Sequence, residues 1–166
     1  MGKDKPSVIK GLEILLKKDV EIFAVIAQSH NDQSFSGEKL IDYASENELN
    51  VLSEEELYRL IDNPSVNSNI DLKDIDLVIS FLFWKIIKSP LINFPKIGCI
   101  NLHPAPLPDF RGFSPYCFAI YQNSPSWGVS AHFVDEKIDT GDIIKVNKFS
   151  INAKNETAFS LEQKSQ

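Results

Sequence analysis

The chain has little cysteine. Cys99 and Cys117 are the two cysteines in 166 residues, and they supply neither a disulfide framework nor a paired metal-ligand spacing. A reducing compartment, the cytoplasm, is the natural reading. Long apolar runs are missing too. None reaches the roughly eighteen residues that a membrane span requires. Met1 to Ser7 is polar and lacks the apolar segment of a signal peptide. Nor is there an excess of base. The formal net charge is -6, whereas nucleic-acid binders neutralise phosphates with clustered Lys and Arg. The basic residues here are scattered, so no nucleic-acid partner is expected. Repeats and low-complexity segments are absent. The polar stretch from Asn63 to Asn69 is too short to separate domains. One domain over residues 1–166, with one core, suits this length.

What is present alternates between two periodicities. Val8, Leu12, Leu15 and Leu16 recur at helical spacing behind Pro6, predicting a helix over 7–18. Val20 to Ala27 is a short, nearly continuous apolar run, as buried parallel strands are. Glu38 to Asn47 is a weaker amphipathic helix. Ser53 and Glu56 have capping-box spacing ahead of a helix ending near Asn63-Pro64. Leu77 to Phe83 and Cys99 to His103 read as two buried strands, the second stopped by Pro104. Ser114-Pro115 opens a helix to about Tyr121. Trp127 to Val134 and Ile143 to Ile151 read as strands. A helix from Glu156 to Lys164 follows Asn155 as its N-cap. Strands alternating with helices imply an α/β fold with a largely parallel sheet. Doubly wound domains usually begin with a strand at mid-sheet. This chain opens on a helix and closes a few residues into another. A first strand and a C-terminal element are therefore expected to be lacking.

Chemistry concentrates in Asn101-Leu102-His103-Pro104-Ala105-Pro106-Leu107-Pro108-Asp109-Phe110-Arg111-Gly112. On a strand, Asn101 and His103 share one face and Ile100 and Leu102 the other. The apolar pair can enter the core while the amide and imidazole face a cleft. Strand C-terminal ends are where open α/β sheets place ligands. Pro104, Pro106 and Pro108 stiffen the exit, and His103, preceding a proline, is biased towards extended backbone. An isolated Asn-x-His is more often a pair of satisfied polar residues at a strand end. The rigid continuation is what suggests a preorganised site.

A second segment runs from Gly128 to Ile144. Its strand carries Ser130 and His132 on one face, and a turn then brings Asp139-Thr140-Gly141. Asp-Thr-Gly also occurs in aspartic proteases, but there two aspartates share a proton. One copy stands here, so that reading would need a homodimer.

Together the two segments resemble the catalytic domain of the 10-formyltetrahydrofolate-dependent formyltransferases, shared by glycinamide ribonucleotide transformylase, methionyl-tRNA formyltransferase and sugar N-formyltransferases. The matching residues are Asn101, His103, Leu107-Pro108, Phe110, Arg111 and Gly112, then Gly128-Val129-Ser130, His132, Asp139 and Gly141. The resemblance implies a Rossmann-like formyltransferase fold, a mostly parallel central sheet flanked by helices. It implies that an amine attacks the formyl carbon of 10-formyltetrahydrofolate, with Asn101, His103 and Asp139 catalytic. Asn101 and His103 would donate to the developing oxyanion, and Asp139 would pair with His103 and help pass protons. Ser130, His132 and Gly141 would support them. The resemblance places the pterin against the aromatic segment Phe81 to Ile87, with Phe83, Lys85 and Ile87 contributing partly through backbone. An aromatic strand end is just as often plain core. Asp135 is assigned to the same folate side, although its place in the chain is that of a turn residue. Pro104, Ala105, Arg111 and Gly112 fall on the acceptor side. No metal is called for. His30 receives no role.

The acceptor is a primary amine on a small molecule. The wording of 103–108 and 138–141 is most similar to the sugar N-formyltransferases, which act on amino groups of nucleotide-linked sugars. Methionyl-tRNA formyltransferases add a C-terminal domain and basic surfaces. Glycinamide ribonucleotide transformylases use a Gly-rich phosphate loop where this chain has Gly2-Lys3-Asp4-Lys5. Hydrolysis of the folate, or a truncated non-catalytic relative that binds folate, are the other readings. The resemblance also admits a homodimer.

Overall fold

The computed structural model describes residues 1–18, 20–27, 39–63 and 72–166. Glu38, His30 and the polar stretch after Asn63 lie outside these. Helix α1 (Pro6–Lys17) has proline in its first turn and buries Val8, Ile9 and Leu12. Strand β1 (Val25–Ile26), helix α2 (Leu40–Glu46), strand β2 (Val51–Leu52) and helix α3 (Glu54–Asp62) follow. The Ser53–Glu56 capping box is formed in both directions at the start of α3. Strand β3 (Leu77–Phe81), helix α4 (Ser89–Asn93) and strand β4 (Gly98–His103) come next. The chain then runs through helix α5 (Pro115–Tyr121), strands β5 (Ser126–Phe133) and β6 (Ile143–Ser150), and helix α6 (Ala158–Lys164).

Four strands pair in the order β3-β4-β5-β6, and β1 pairs with β2. Pairings of the N-terminal half are parallel: β1 with β2, and β3 with β4. The later pairs, β4 with β5 and β5 with β6, are antiparallel. Met1 and Gly2 stand between the two sheets. The Gly2 N–H donates to the Ile26 carbonyl at 3.0 Å and the Phe81 N–H to the Met1 carbonyl at 2.9 Å. Gly2 also bridges Phe81 in parallel fashion. At the place where a first strand was expected to be lacking, two residues thus join β1 to β3.

Some elements differ from the sequence pattern. The run Val20 to Ala27 is strand only at Val25–Ile26, the residues that pair with β2. An apolar run becomes a strand only where a neighbour completes its ladder. The short β2 and α4 carry too few residues to show a period. The last helix starts after Thr157, not Asn155, which lies in a 3-10 turn (Ala153–Asn155). Thr157 and Ser160 exchange backbone and side-chain bonds there, so the reciprocal cap wins.

Among the described residues the core lies in three clusters. Val8, Ile9, Leu12, Val25, Leu40 and Ala44 pack beneath α1. Ile26, Leu57, Ile87, Leu91 and Cys99 form a second. Ala105, Ala119, Trp127 and Leu161 form the third, which seats the proline loop and β5 against α5 and α6. Trp127 is fully buried, and its indole N–H donates to Ser165 Oγ at 2.7 Å. At the sheet edge β6 is mostly exposed and carries Lys145 and Lys148, charges that discourage edge-to-edge pairing. No helix among the described residues is long and apolar enough to cross a membrane.

Gly128 shows how tightly β5 and β6 approach. A Cβ there would lie 2.3 Å from the Asn147 carbonyl oxygen. Gly128→Ala should therefore destabilise the protein by roughly 1–3 kcal/mol, as overpacking does, measured by urea denaturation. A variant as stable as wild type would show that the strands part without cost.

Candidate active site

Strand register builds the site. Ser80 of β3 stands opposite Asn101 of β4, and Asn101 opposite His132 of β5. One row crosses three strands, with its side chains on one face. Ser80 Oγ lies 2.9 Å from Asn101 Oδ1, and Asn101 Nδ2 lies 3.2 Å from His132 Nε2. The neighbouring row pairs His103 with Ser130. Ser130 is buried and works as a latch on the proline loop. Its hydroxyl accepts from the Leu107 N–H at 2.9 Å and donates to the Ala105 carbonyl at 2.7 Å.

Asp139 closes the group. The turn after β5 leaves the sheet beside the start of β4, since Val134 N–H bonds the Cys99 carbonyl. It then folds back over the polar face. Asp139 Oδ2 accepts from the Gly112 N–H at 2.8 Å. The same oxygen lies 3.5 Å from His103 Nδ1, and Oδ1 lies 3.5 Å from His132 Nε2. These are longer than good hydrogen bonds, as catalytic contacts often are before substrate binds. Asp139 itself has φ +52°, a left-handed backbone that aspartate tolerates better than most residues. Gly141 makes the fold-back feasible: a Cβ there would lie 1.9 Å from the Phe133 carbonyl oxygen. Asp135 accepts from Thr140 Oγ1 at 2.7 Å and from the Lys137 N–H at 3.0 Å. It braces the turn that carries Asp139.

Charge is settled at this junction. Burial alone would raise the Asp139 carboxyl, but the His132 imidazole, the Gly112 N–H and His103 outweigh it and hold it below the usual range. Asp139 is thus an anion facing two imidazoles. His103 Nε2 lies 2.7 Å from the Phe110 carbonyl, and His132 Nδ1 lies 2.7 Å from the Phe133 carbonyl. A carbonyl only accepts, so each of these nitrogens carries a proton. The other ring nitrogen of each histidine is the one turned to Asp139. His103 is therefore set to exchange protons with Asp139, and the oxyanion donor best placed by the geometry is the Asn101 amide. Cys99 is no nucleophile: burial pushes its thiol up to about 11.

The remaining expected site residues divide. Phe83 is half-buried, its ring centroid 4.4 Å from that of Trp84. Lys85 pairs with Glu54 on α3. The Ile87 side chain is buried in the second core cluster. All three follow the C-terminal end of β3, which is parallel to β4, and so lie at the edge where His103 stands. On the acceptor side, Arg111 is exposed and Pro104 half-buried. Gly112 spends its N–H on Asp139. The Ala105 side chain is fully buried in the third cluster, so it supports the loop from below. Ser80 escaped the sequence reading, although it left a signal: it is the one polar residue in the apolar run Leu77 to Phe83. Two cavities accompany the sheet. One of about 600 Å³ lies between β1 and β3 against α1, apolar and apart from Asn101 and Asp139. The other, about 250 Å³, is walled by His103, Pro104 and Ser130. The second is also lined by Leu102, Val129, Ala131 and Lys145, and neither cavity is lined by Asn101, His132 or Asp139. Among the described residues no group of three His, Cys, Asp or Glu could hold a metal ion.

Known proteins place this architecture. Residues 12–166 match the formyl transferase family, and the chain belongs to that family. A methionyl-tRNA formyltransferase of Prochlorococcus marinus (strain MIT 9215) is 31% identical over 150 residues, 87% of this chain and 44% of the relative. The chain spans less than half the length of the curated relatives it matches. An N-formyltransferase from Helicobacter canadensis, solved with folinic acid and dTDP-3-aminofucose, superposes with TM-score 0.74 and 26% identity, covering 99% of this chain and 56% of that one. A phosphoribosylglycinamide formyltransferase from Bacillus halodurans shares the fold, with TM-score 0.73 and 23% identity, over 98% of this chain and 84% of that one.

A depressed carboxyl contributes stability above its unfolded pKa, and the contribution is lost as pH falls through the folded value. Asp139→Asn should be less stable than wild type at neutral pH. The gap should close as pH falls through and below the ordinary carboxylate range in parallel urea titrations. A gap that ignores pH would mean that Asp139 is not held as an anion.

Proposed function

We propose that residues 1–166 form one catalytic domain that transfers a formyl group from 10-formyltetrahydrofolate to a primary amine. The observation that carries this reading is the junction at Asp139: a carboxylate facing two imidazoles at 3.5 Å, one of them bonded to the Asn101 amide. Attack of an amine on a formyl carbon makes two demands. Negative charge gathers on the formyl oxygen and needs a donor fixed in advance. The Asn101 nitrogen carries two hydrogens. His132 takes one, and we assign the other to that oxygen. The attacking amine must also lose a proton. Asp139 is ionised and His103 Nδ1 faces it, so the pair can accept that proton and return it to the departing folate nitrogen. His103 keeps its orientation because Nε2 is tied to the Phe110 carbonyl.

The folate would lie against Phe83, the backbone at Lys85 and Ile87, and the turn braced by Asp135. The acceptor would approach over Pro104, Arg111 and Gly112. We assign the acceptor amine to a nucleotide-linked amino sugar. The Helicobacter canadensis enzyme, solved with such a sugar, is similar across nearly the whole chain. Methionyl-tRNA is the second reading, favoured by the 31% identity to a methionyl-tRNA formyltransferase. The net charge of -6 weighs against a tRNA surface on this segment. We place the reaction in the cytoplasm, a reading supported by the low cysteine content.

Consumption of 10-formyltetrahydrofolate should be measured against amino-sugar nucleotides, methionyl-tRNA and glycinamide ribonucleotide. An amino-sugar nucleotide should be formylated. His103→Ala and Asp139→Asn should each lower turnover by at least about a hundred-fold, while folinic acid still raises the melting temperature of both variants. Near-normal turnover in either variant would overturn the assigned roles. Turnover with methionyl-tRNA alone would move the acceptor to the second reading.

A further inference from the structure

We propose that Ser80 is a positioning residue for this reaction, its hydroxyl deciding which end of the Asn101 amide faces the cleft; the inference rests on the formyl-transfer reading above. The reasoning starts two strands away. His132 Nδ1 lies 2.7 Å from the Phe133 carbonyl, so Nδ1 bears a proton, and Nε2 lies 3.2 Å from Asn101 Nδ2, an amide donor, so towards Asn101 it accepts. Asn101 must then present its nitrogen, 3.2 Å away, to Nε2. That turns Asn101 Oδ1 to β3, where Ser80 Oγ waits at 2.9 Å and donates. Backbone carbonyl, imidazole, amide and hydroxyl form one chain of donors and acceptors with a single direction. The direction leaves the second amide hydrogen for the formyl oxygen.

The opposite orientation would disturb both links made by the amide. A flipped amide would face His132 Nε2 with its oxygen, two acceptors in contact. Ser80 is 3% exposed, so water does not readily replace its hydroxyl. Without it, Oδ1 loses its donor in a buried place, and the penalty for the flipped amide falls. Ser80 touches neither folate nor acceptor in this scheme. It acts through Asn101, so its loss should lower kcat and spare KM.

Four forms test this: wild type, Ser80→Ala, and the matched pair Ser80→Thr and Ser80→Val. Threonine keeps the hydroxyl and valine removes it within nearly the same shape. Ser80→Ala and Ser80→Val should lower kcat by about ten- to a hundred-fold, the scale of a misplaced reacting group. KM for the formyl donor should stay within about two-fold. Ser80→Thr should return kcat to within about three-fold of wild type. Equal kcat in the threonine and valine forms would overturn the proposal, even if the alanine form did not fold. A second readout needs no substrate. Nitrogen-15 NMR of the free protein should show the Nδ1–H tautomer of His132 and one set of Asn101 side-chain amide signals in wild type and Ser80→Thr. In Ser80→Val the Asn101 signals should broaden or double. Unchanged spectra in Ser80→Val would overturn the positioning role. If no form, wild type included, consumes the formyl donor, the functional reading fails and the spectra alone decide on Ser80.

Discussion

The Asp139 carboxylate ties together three segments that are distant in sequence. It accepts from the Gly112 N–H beyond the proline loop, faces His103 at the end of β4, and faces His132 near the end of β5. Each contact is modest alone. Their sum fixes a partly buried anion, which is tolerable only while the Gly112 N–H and the imidazoles stay beside it. The left-handed backbone at Asp139 costs roughly 1 kcal/mol or more, so the surrounding contacts must impose it. Gly141, with no room for a side chain, and Asp135, bonded to Thr140, hold the turn in that shape.

The rest of the fold serves this junction from beneath. Trp127 and Leu161 are fully buried under the proline loop. Ala105 enters the same cluster, while the Ser130 hydroxyl pins the loop from the other side. Apolar burial thus sets the height of the loop and a pair of hydrogen bonds sets its register. The loop in turn delivers the Phe110 carbonyl to His103 and the Gly112 N–H to Asp139. The N-terminal half contributes less to the site. Its short strands meet the main sheet through Met1 and Gly2, and β3 brings Ser80 to the Asn101 amide.

Some of this was legible before any coordinates. The common face of Asn101 and His103 follows from strand alternation, and the stop at Pro104 from the chemistry of proline. The Ser53 cap and the helix behind Pro6 follow from side chains acting on neighbours. Other readings went astray where a neighbour in sequence was not a neighbour in space. Ala105 and Ile87 sit among site residues along the chain, yet their side chains turn into two different core clusters. The strand Val20 to Ala27 shrank to two residues, because hydrogen-bonded partners, not apolar content, complete a ladder.

Asp139 entered the sequence reading through family resemblance, since spacing could not join it to His103. Ser80 did not enter at all. Both omissions share one cause. Local sequence sets backbone type and which side chains share a face, because those depend on torsions and on periods of two or 3.6 residues. It does not set which strand lies beside which, or in what register. That choice belongs to the packed sheet, and in this protein it places Ser80 opposite Asn101 and Asn101 opposite His132. The sequence by itself determined the two polar strands, the rigid loop and the tight turn. Tertiary structure alone decided that Gly112, His103 and His132 converge on one carboxylate, because that convergence requires three segments distant in sequence to pack together.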